Sequence, residues 1–189
     1  MPILVLGLVV MLGVHSVKAV APGWRELAIA RFGEGPYKGL YSLISLVGLA
    51  LIVWGFARAW QAPGFVYTPP TWGRHLAMAL MIPALILSFA SVVPPGGIKR
   101  FVRHPLLLAT MLWALAHLLA NGDLAGVVLF GAFLAWAVFD RVMQPEAHAA
   151  EEEGGFGKWD LVAVIAGIAL YIVLIAGLHY WLFGVSPIV

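Results

Sequence analysis

The chain contains no cysteine. That excludes disulfides, iron–sulfur clusters, thiolate-held metals and covalently attached c-type haem, and it leaves the redox compartment open. Charge is scarce as well: Asp, Glu, Lys and Arg make up 11% of the 189 residues, against roughly 25% in a soluble domain. The net charge of +2 gives no basis for nucleic-acid binding. No segment alternates apolar and polar residues at strand period, which argues against a β-barrel, and no internal repeat is visible. What remains is apolar: 62% of the residues are hydrophobic and the mean hydropathy is +0.97. A soluble domain of this size still shows about a third of its unfolded-chain surface to water. It could not hide this much apolar surface, so the chain belongs in lipid.

A bilayer core about 30 Å thick needs roughly 17–25 apolar residues per helix. Six runs meet that length: Pro2–Pro22, Gly39–Trp60, His75–Val93, His104–Ala120, Asp123–Phe139 and Asp160–Phe183. The first has a signal-peptide look at Ala19-Val20-Ala21, but no basic residue precedes it and Pro22 follows the cleavage point, so it reads as a span. With the N-terminus outside, nine basic residues fall on the inner side (Lys18, Arg25, Arg31, Lys38, Lys99, Arg100, Arg103, Arg141 and Lys158) and two on the outer, Arg58 and Arg74. The positive-inside rule then predicts an all-α membrane protein of six spans, one domain over residues 1–189, with both termini outside.

Local signals mark the joints. Pro94-Pro95-Gly96-Gly97 predicts a turn, and Pro105 suits the first turn of a helix. Asn121-Gly122-Asp123 makes a tight connection with Asp123 as N-cap, which predicts that the fourth and fifth spans are antiparallel neighbours. Gln144–Gly157, with Glu151-Glu152-Glu153 and His148, reads as a solvated loop. Pro83 interrupts one backbone bond of the third span and predicts a kink.

Polar side chains inside a span mark helix contacts or a lined site. His75 and His179 lie near span ends, where an imidazole reaches water. His15 and His117 lie deeper. At 100° per residue Arg103, Thr110, His117 and Asn121 share one face of the fourth span, with Ala114 among them. That face is either helix–helix glue or the lining of a cavity, where Ala114 would leave room for a flat ligand. Tyr37, Tyr41, Ser45, Gly48 and Ile52 form a second stripe, whose small residues suit close packing. By depth, His117 stands about 20 Å and His15 about 10 Å from the inner ends of their helices. Depth alone therefore pairs His117 with His75 or His179, and His15 with His104. Neutral imidazole is a common metal ligand, and a haem iron held by two imidazoles needs no thiolate.

Gly13-Val14-His15-Ser16, the segment Arg31-Phe32-Gly33-Glu34 leading to Tyr37 and Tyr41, and Arg103-His104-Pro105 through Trp113, His117, Asn121, Gly122 and Asp123 together resemble the NnrU family over nearly the whole chain. The resemblance implies a bacterial inner-membrane protein associated with denitrification. Zeta-carotene isomerase, a haem b enzyme that converts a cis double bond to trans, shares that superfamily. Carried over, its haem histidines fall on His15 and His117, and its nearby cysteine falls on Ala114. The resemblance thus implies haem b, with His15 and His117 as iron ligands, Arg103 or His104 near a propionate or an inner-face ligand, and redox-dependent handling of an isoprenoid-like apolar molecule or of nitric oxide.

Two other readings stand beside it. Arg103-His104-Pro105, followed by Asp140-Arg141 and a glutamate cluster, is similar to membrane methyltransferases that bind S-adenosylmethionine at the cytoplasmic face. A non-enzymatic sensor or assembly factor of a respiratory complex is the other.

Overall fold

The computed structural model describes residues 1–61, 64–143 and 155–188. The glutamate run 151–153 and His148 lie outside them. Among the described residues the regular elements are helical, and an isolated bridge pairs Phe65 with Asp123. The helices are α1 (Pro2–Val20), α2 (Pro22–Phe32), α3 (Glu34–Trp60), α4 (Gly73–Val92), α5 (Gly97–Val102), α6 (Pro105–Ala120), α7 (Leu124–Met143) and α8 (Lys158–Val173). A π-turn, Leu174–Leu178, then leads into α9 (His179–Phe183).

Five helices are long and apolar enough to cross a membrane: α1, α3, α4, α7 and the continuous run Lys158–Phe183. The sixth expected span, α6, has 16 residues. It is about 24 Å long, short of the ~30 Å hydrocarbon core. Helix α3 begins at Glu34 rather than Gly39, because Pro36 falls in its first turn, where a missing N–H is harmless. Helix α7 runs on to Met143, past the expected Phe139.

The stretch expected as an inner loop between the first two spans contains α2, an 11-residue helix with no buried residue. It exposes Trp24, Leu27 and Phe32 beside Arg25 and Arg31.

The chain divides into two compact units, Met1–Thr68 with Gly122–Gln144, and Pro69–Asn121 with Pro145–Val189. In the first unit α1 packs along α3, and α7 packs on both. Gly7 and Gly55 let the backbones of α1 and α3 approach: a Cβ on Gly7 would stand 2.6 Å from the Ile52 nitrogen, and one on Gly55 would strike the Leu4 backbone. Gly48, within the tyrosine-led stripe, meets Met11 in the same way, and Ile52 is buried, so that stripe is a packing face as its small residues predicted. The Asp123 carboxylate accepts from the Gly126 N–H at 2.7 Å, the N-cap its sequence position predicted.

In the second unit α4 lies between α6 and α8, packing on each. A Cβ on Gly73 would strike the Leu119 carbonyl, and one on Gly167 would stand 2.7 Å from the Ile86 Cα. The Pro94–Gly97 corner turns as expected, and its geometry is held by Asp160. That carboxylate accepts from the backbone N–H groups of Gly97 (2.9 Å), Ile98 (2.8 Å) and Gly157 (2.8 Å). Helices α6 and α7, expected as neighbours from their tight connection, fall into different units: α6 packs on α4, and α7 on α1 and α3.

In the second unit the buried positions are chiefly alanines, and in the first Gly7, Gly48, Gly55 and Gly126 are buried beside larger residues such as Leu4, Ile52 and Phe130. Leu43, Leu46, Val53, Leu161 and Ile165 face outward. This is the distribution expected of helices whose solvent is lipid, where small residues set close contacts and apolar side chains gain nothing by hiding. The protein is a membrane protein.

Candidate functional site

His15 lies in the first unit, five residues before the end of α1, half-buried. Its Nδ1 donates to the Met11 carbonyl one turn back at 2.7 Å. Its ring stands edge-on to Trp136, centroids 6.1 Å apart, and tilts against Tyr41 at 5.2 Å. Trp136 is itself held: its Nε1–H donates to the Ser16 hydroxyl at 3.1 Å, and that hydroxyl donates to the Leu12 carbonyl. Three helices thereby fix one imidazole.

His117 lies in the second unit, one turn from the end of α6. Its Nδ1 donates to the Trp113 carbonyl at 2.8 Å, and the Trp113 ring tilts against it at 5.3 Å. A carbonyl oxygen can only accept, so Nδ1 carries the proton in both histidines. Neutral imidazole then has its lone pair on Nε2, the state in which it serves as a ligand or a hydrogen-bond acceptor. The same backbone tether is the usual outer support of a metal-bound histidine. Asn121 closes α6, donating from Nδ2 to the His117 carbonyl at 2.9 Å.

His117 borders a half-open cavity of about 130 Å³ within the second unit. Its walls come from α4 (Met78, Met81, Leu85), the end of α6 and the last span, and Val185, Ser186 and Pro187 complete it. His179 and Arg74 line it too. His179 is a third tethered imidazole, its Nδ1 donating to the Val185 carbonyl at 2.7 Å, and it lies near enough to His117 to interact electrostatically. The wall between Tyr171 and His179 contains the π-turn, and Gly177 within it holds φ 148°. Such insertions recur where a helix must re-aim side chains.

Arg74 was only counted for topology in the sequence, whereas His179 was one of the two partners that depth gave His117. The structure puts His179 and His117 on one cavity. Arg103 and His104 are not on this cavity. They join α5 to α6, and 13 residues of helix, about 20 Å, separate His104 from His117. Arg103 adopts φ 64° at that joint. Ala114 is fully buried and is not among the residues lining this cavity.

The model of the NnrU protein family matches residues 3–187. The chain belongs to the NnrU family. No curated protein and no solved structure matches it.

For this NnrU protein the fit to a haem rests on the donor set. When neutral, the three tethered imidazoles present a lone pair on Nε2, and among the described residues no three His, Asp or Glu gather into a metal cage. Any metal these histidines held would take its other ligands from elsewhere, as an iron porphyrin's iron does from its ring. The donor chemistry fits. The enclosed volume is that of a ligand's end, below the ~300–1,000 Å³ of a cavity that surrounds a whole cofactor-sized molecule.

Proposed function

We propose that this NnrU membrane protein binds haem b, with His15 and His117 as candidate iron ligands, and acts through the oxidation state of the iron. The carrying observation is the identical support of the two rings: each Nδ1 is tied to the carbonyl one turn back on its own helix, and each ring is braced by an aromatic neighbour. A ring held so keeps Nε2 aimed, and in the neutral ring that nitrogen has the lone pair a metal needs. When bound, haem supplies one-electron chemistry at its iron. The protein's own residues then set access. Trp136 and Tyr41 shield His15, and the methionine and leucine wall keeps the surroundings of His117 apolar. Arg103 or His104 would meet a propionate or other ligand at the inner face.

The substrate class in this reading is a small or isoprenoid-like apolar molecule, or nitric oxide, in keeping with a denitrification-associated family. The chain would cross the bacterial inner membrane six times with both ends outside, α6 being the short crossing. Purification in mild detergent from haem-supplied cells, followed by an absorbance spectrum and a pyridine haemochrome assay, tests it. A Soret band is expected that His117→Ala abolishes and His15→Ala shifts. Full haem occupancy in the His117→Ala protein would remove the assignment.

A further inference from the structure

The half-open cavity of the second unit has a basic side chain at its mouth. Arg74, in the first turn of α4, lines it. No hydrogen bond or ion pair engages its guanidinium among the described residues, and no carboxylate lines the space. Around it the wall is divided. Met78, Met81 and Leu85 make one side apolar, while Tyr171 and Ser186 bring hydroxyl groups. A guanidinium presents a planar fork of donors that matches a carboxylate two bonds at a time. Arg74 itself is exposed at the mouth of the cavity, and a bidentate charge-assisted pair there would be stronger than a hydrogen bond between neutral groups.

We propose that this cavity receives the carboxylate end of an amphipathic molecule, with Arg74 as its counter-ion and the Met78–Leu85 face of α4 against its apolar body. The volume, about 130 Å³, admits a head and the first part of a body, and the half-open side lets the remainder continue outward. Two sources share this chemistry: a propionate edge of a tetrapyrrole, or the head of a long-chain fatty acid from the bilayer. The first deepens the haem reading above and places its acid contact at Arg74 rather than at Arg103. The second stands without it.

The test uses the full-length protein in detergent micelles and titrates four probes by tryptophan quenching or porphyrin fluorescence: metal-free protoporphyrin IX, its dimethyl ester, oleate and methyl oleate. At least one free acid is expected to bind about tenfold tighter than its ester, the margin of one charge-assisted pair. Arg74→Gln should erase that margin, Arg74→Lys should keep part of it, and Arg58→Gln, on the other outer arginine, should leave it intact. Acid and ester binding alike, or an acid preference that survives Arg74→Gln, overturns the proposal. Preference for protoporphyrin IX over oleate identifies the tetrapyrrole source, and the reverse the lipid source. Because these probes carry no iron, an Arg74-dependent preference in a protein that shows no Soret band would sink the haem reading and leave this one standing.

Discussion

Asp160 and Gly96 fit so closely that a Cβ on Gly96 would stand 2.5 Å from both carboxylate oxygens. The side chain at the start of α8 thus occupies the space that the glycine at the head of α5 leaves open, and from there it accepts three backbone N–H groups. Asp160→Ala leaves those donors without an acceptor. The expected loss is about 3 kcal/mol, a sum of net contributions of roughly 1 kcal/mol each, seen as a lower thermal midpoint in detergent. Gly96→Ala should cost a similar amount by displacing the carboxylate. Because both act on one contact, the double variant should fall well short of the sum. Additive losses would show the two positions to be independent.

The α1–α3 contact makes a sharper contrast. Gly55→Ala forces a methyl into the Leu4 backbone, whereas Gly13→Ala, with nothing within 4 Å of its new Cβ, meets no obstacle. Gly13→Ala should be neutral or stabilising by up to about 1 kcal/mol, since alanine is the better helix former. Gly55→Ala should destabilise through separation of the two helices. Resistance to unfolding in mixed micelles compares them, and equal behaviour would mean that α1 and α3 do not rely on close approach.

Gly177 tests backbone strain apart from packing. Its φ of 148° disfavours any side chain, yet no atom lies within 4 Å of its added Cβ. Gly177→Ala should therefore cost about 1–3 kcal/mol by torsion alone. The relaxed turn should also move His179 away from the cavity and weaken protoporphyrin IX binding. Unchanged affinity alongside lowered stability would separate the π-turn from the site.

Asp123→Ala removes the oxygen that accepts from Gly126. About 1 kcal/mol of stability should go with it, and Asp123→Ser should restore most of that. Thermal unfolding of the two variants decides it; a serine as damaging as alanine would assign the effect to charge.

Much of the architecture was legible in the sequence because it depends on local chemistry. The long apolar runs, the proline and glycine corner, the Asp123 cap and the glycine face of α3 all follow from the residues at those positions. Helix α2 escaped because its composition is mixed and its hydrophobic run is short, so a short helix and a loop look alike. The connection Asn121-Gly122-Asp123 constrains only the chain ends, and the helices it joins, α6 and α7, belong to different compact units. Of the site, His15 and His117 stood out as imidazoles far inside apolar runs, but their tethers to Met11 and Trp113 required the folded backbone.

By itself the sequence determined the solvent. So few charges among so many apolar residues leave no water-soluble solution, and the period of the small and polar residues then fixes which helix faces turn inward. Only the tertiary structure decided that Arg74, His117 and His179 border one space. They come from three helices far apart in the chain, and close contacts at Gly73 with Leu119 and at Gly167 with Ile86 hold those helices together. No local pattern encodes which helices meet, because that choice depends on the surfaces of all of them at once.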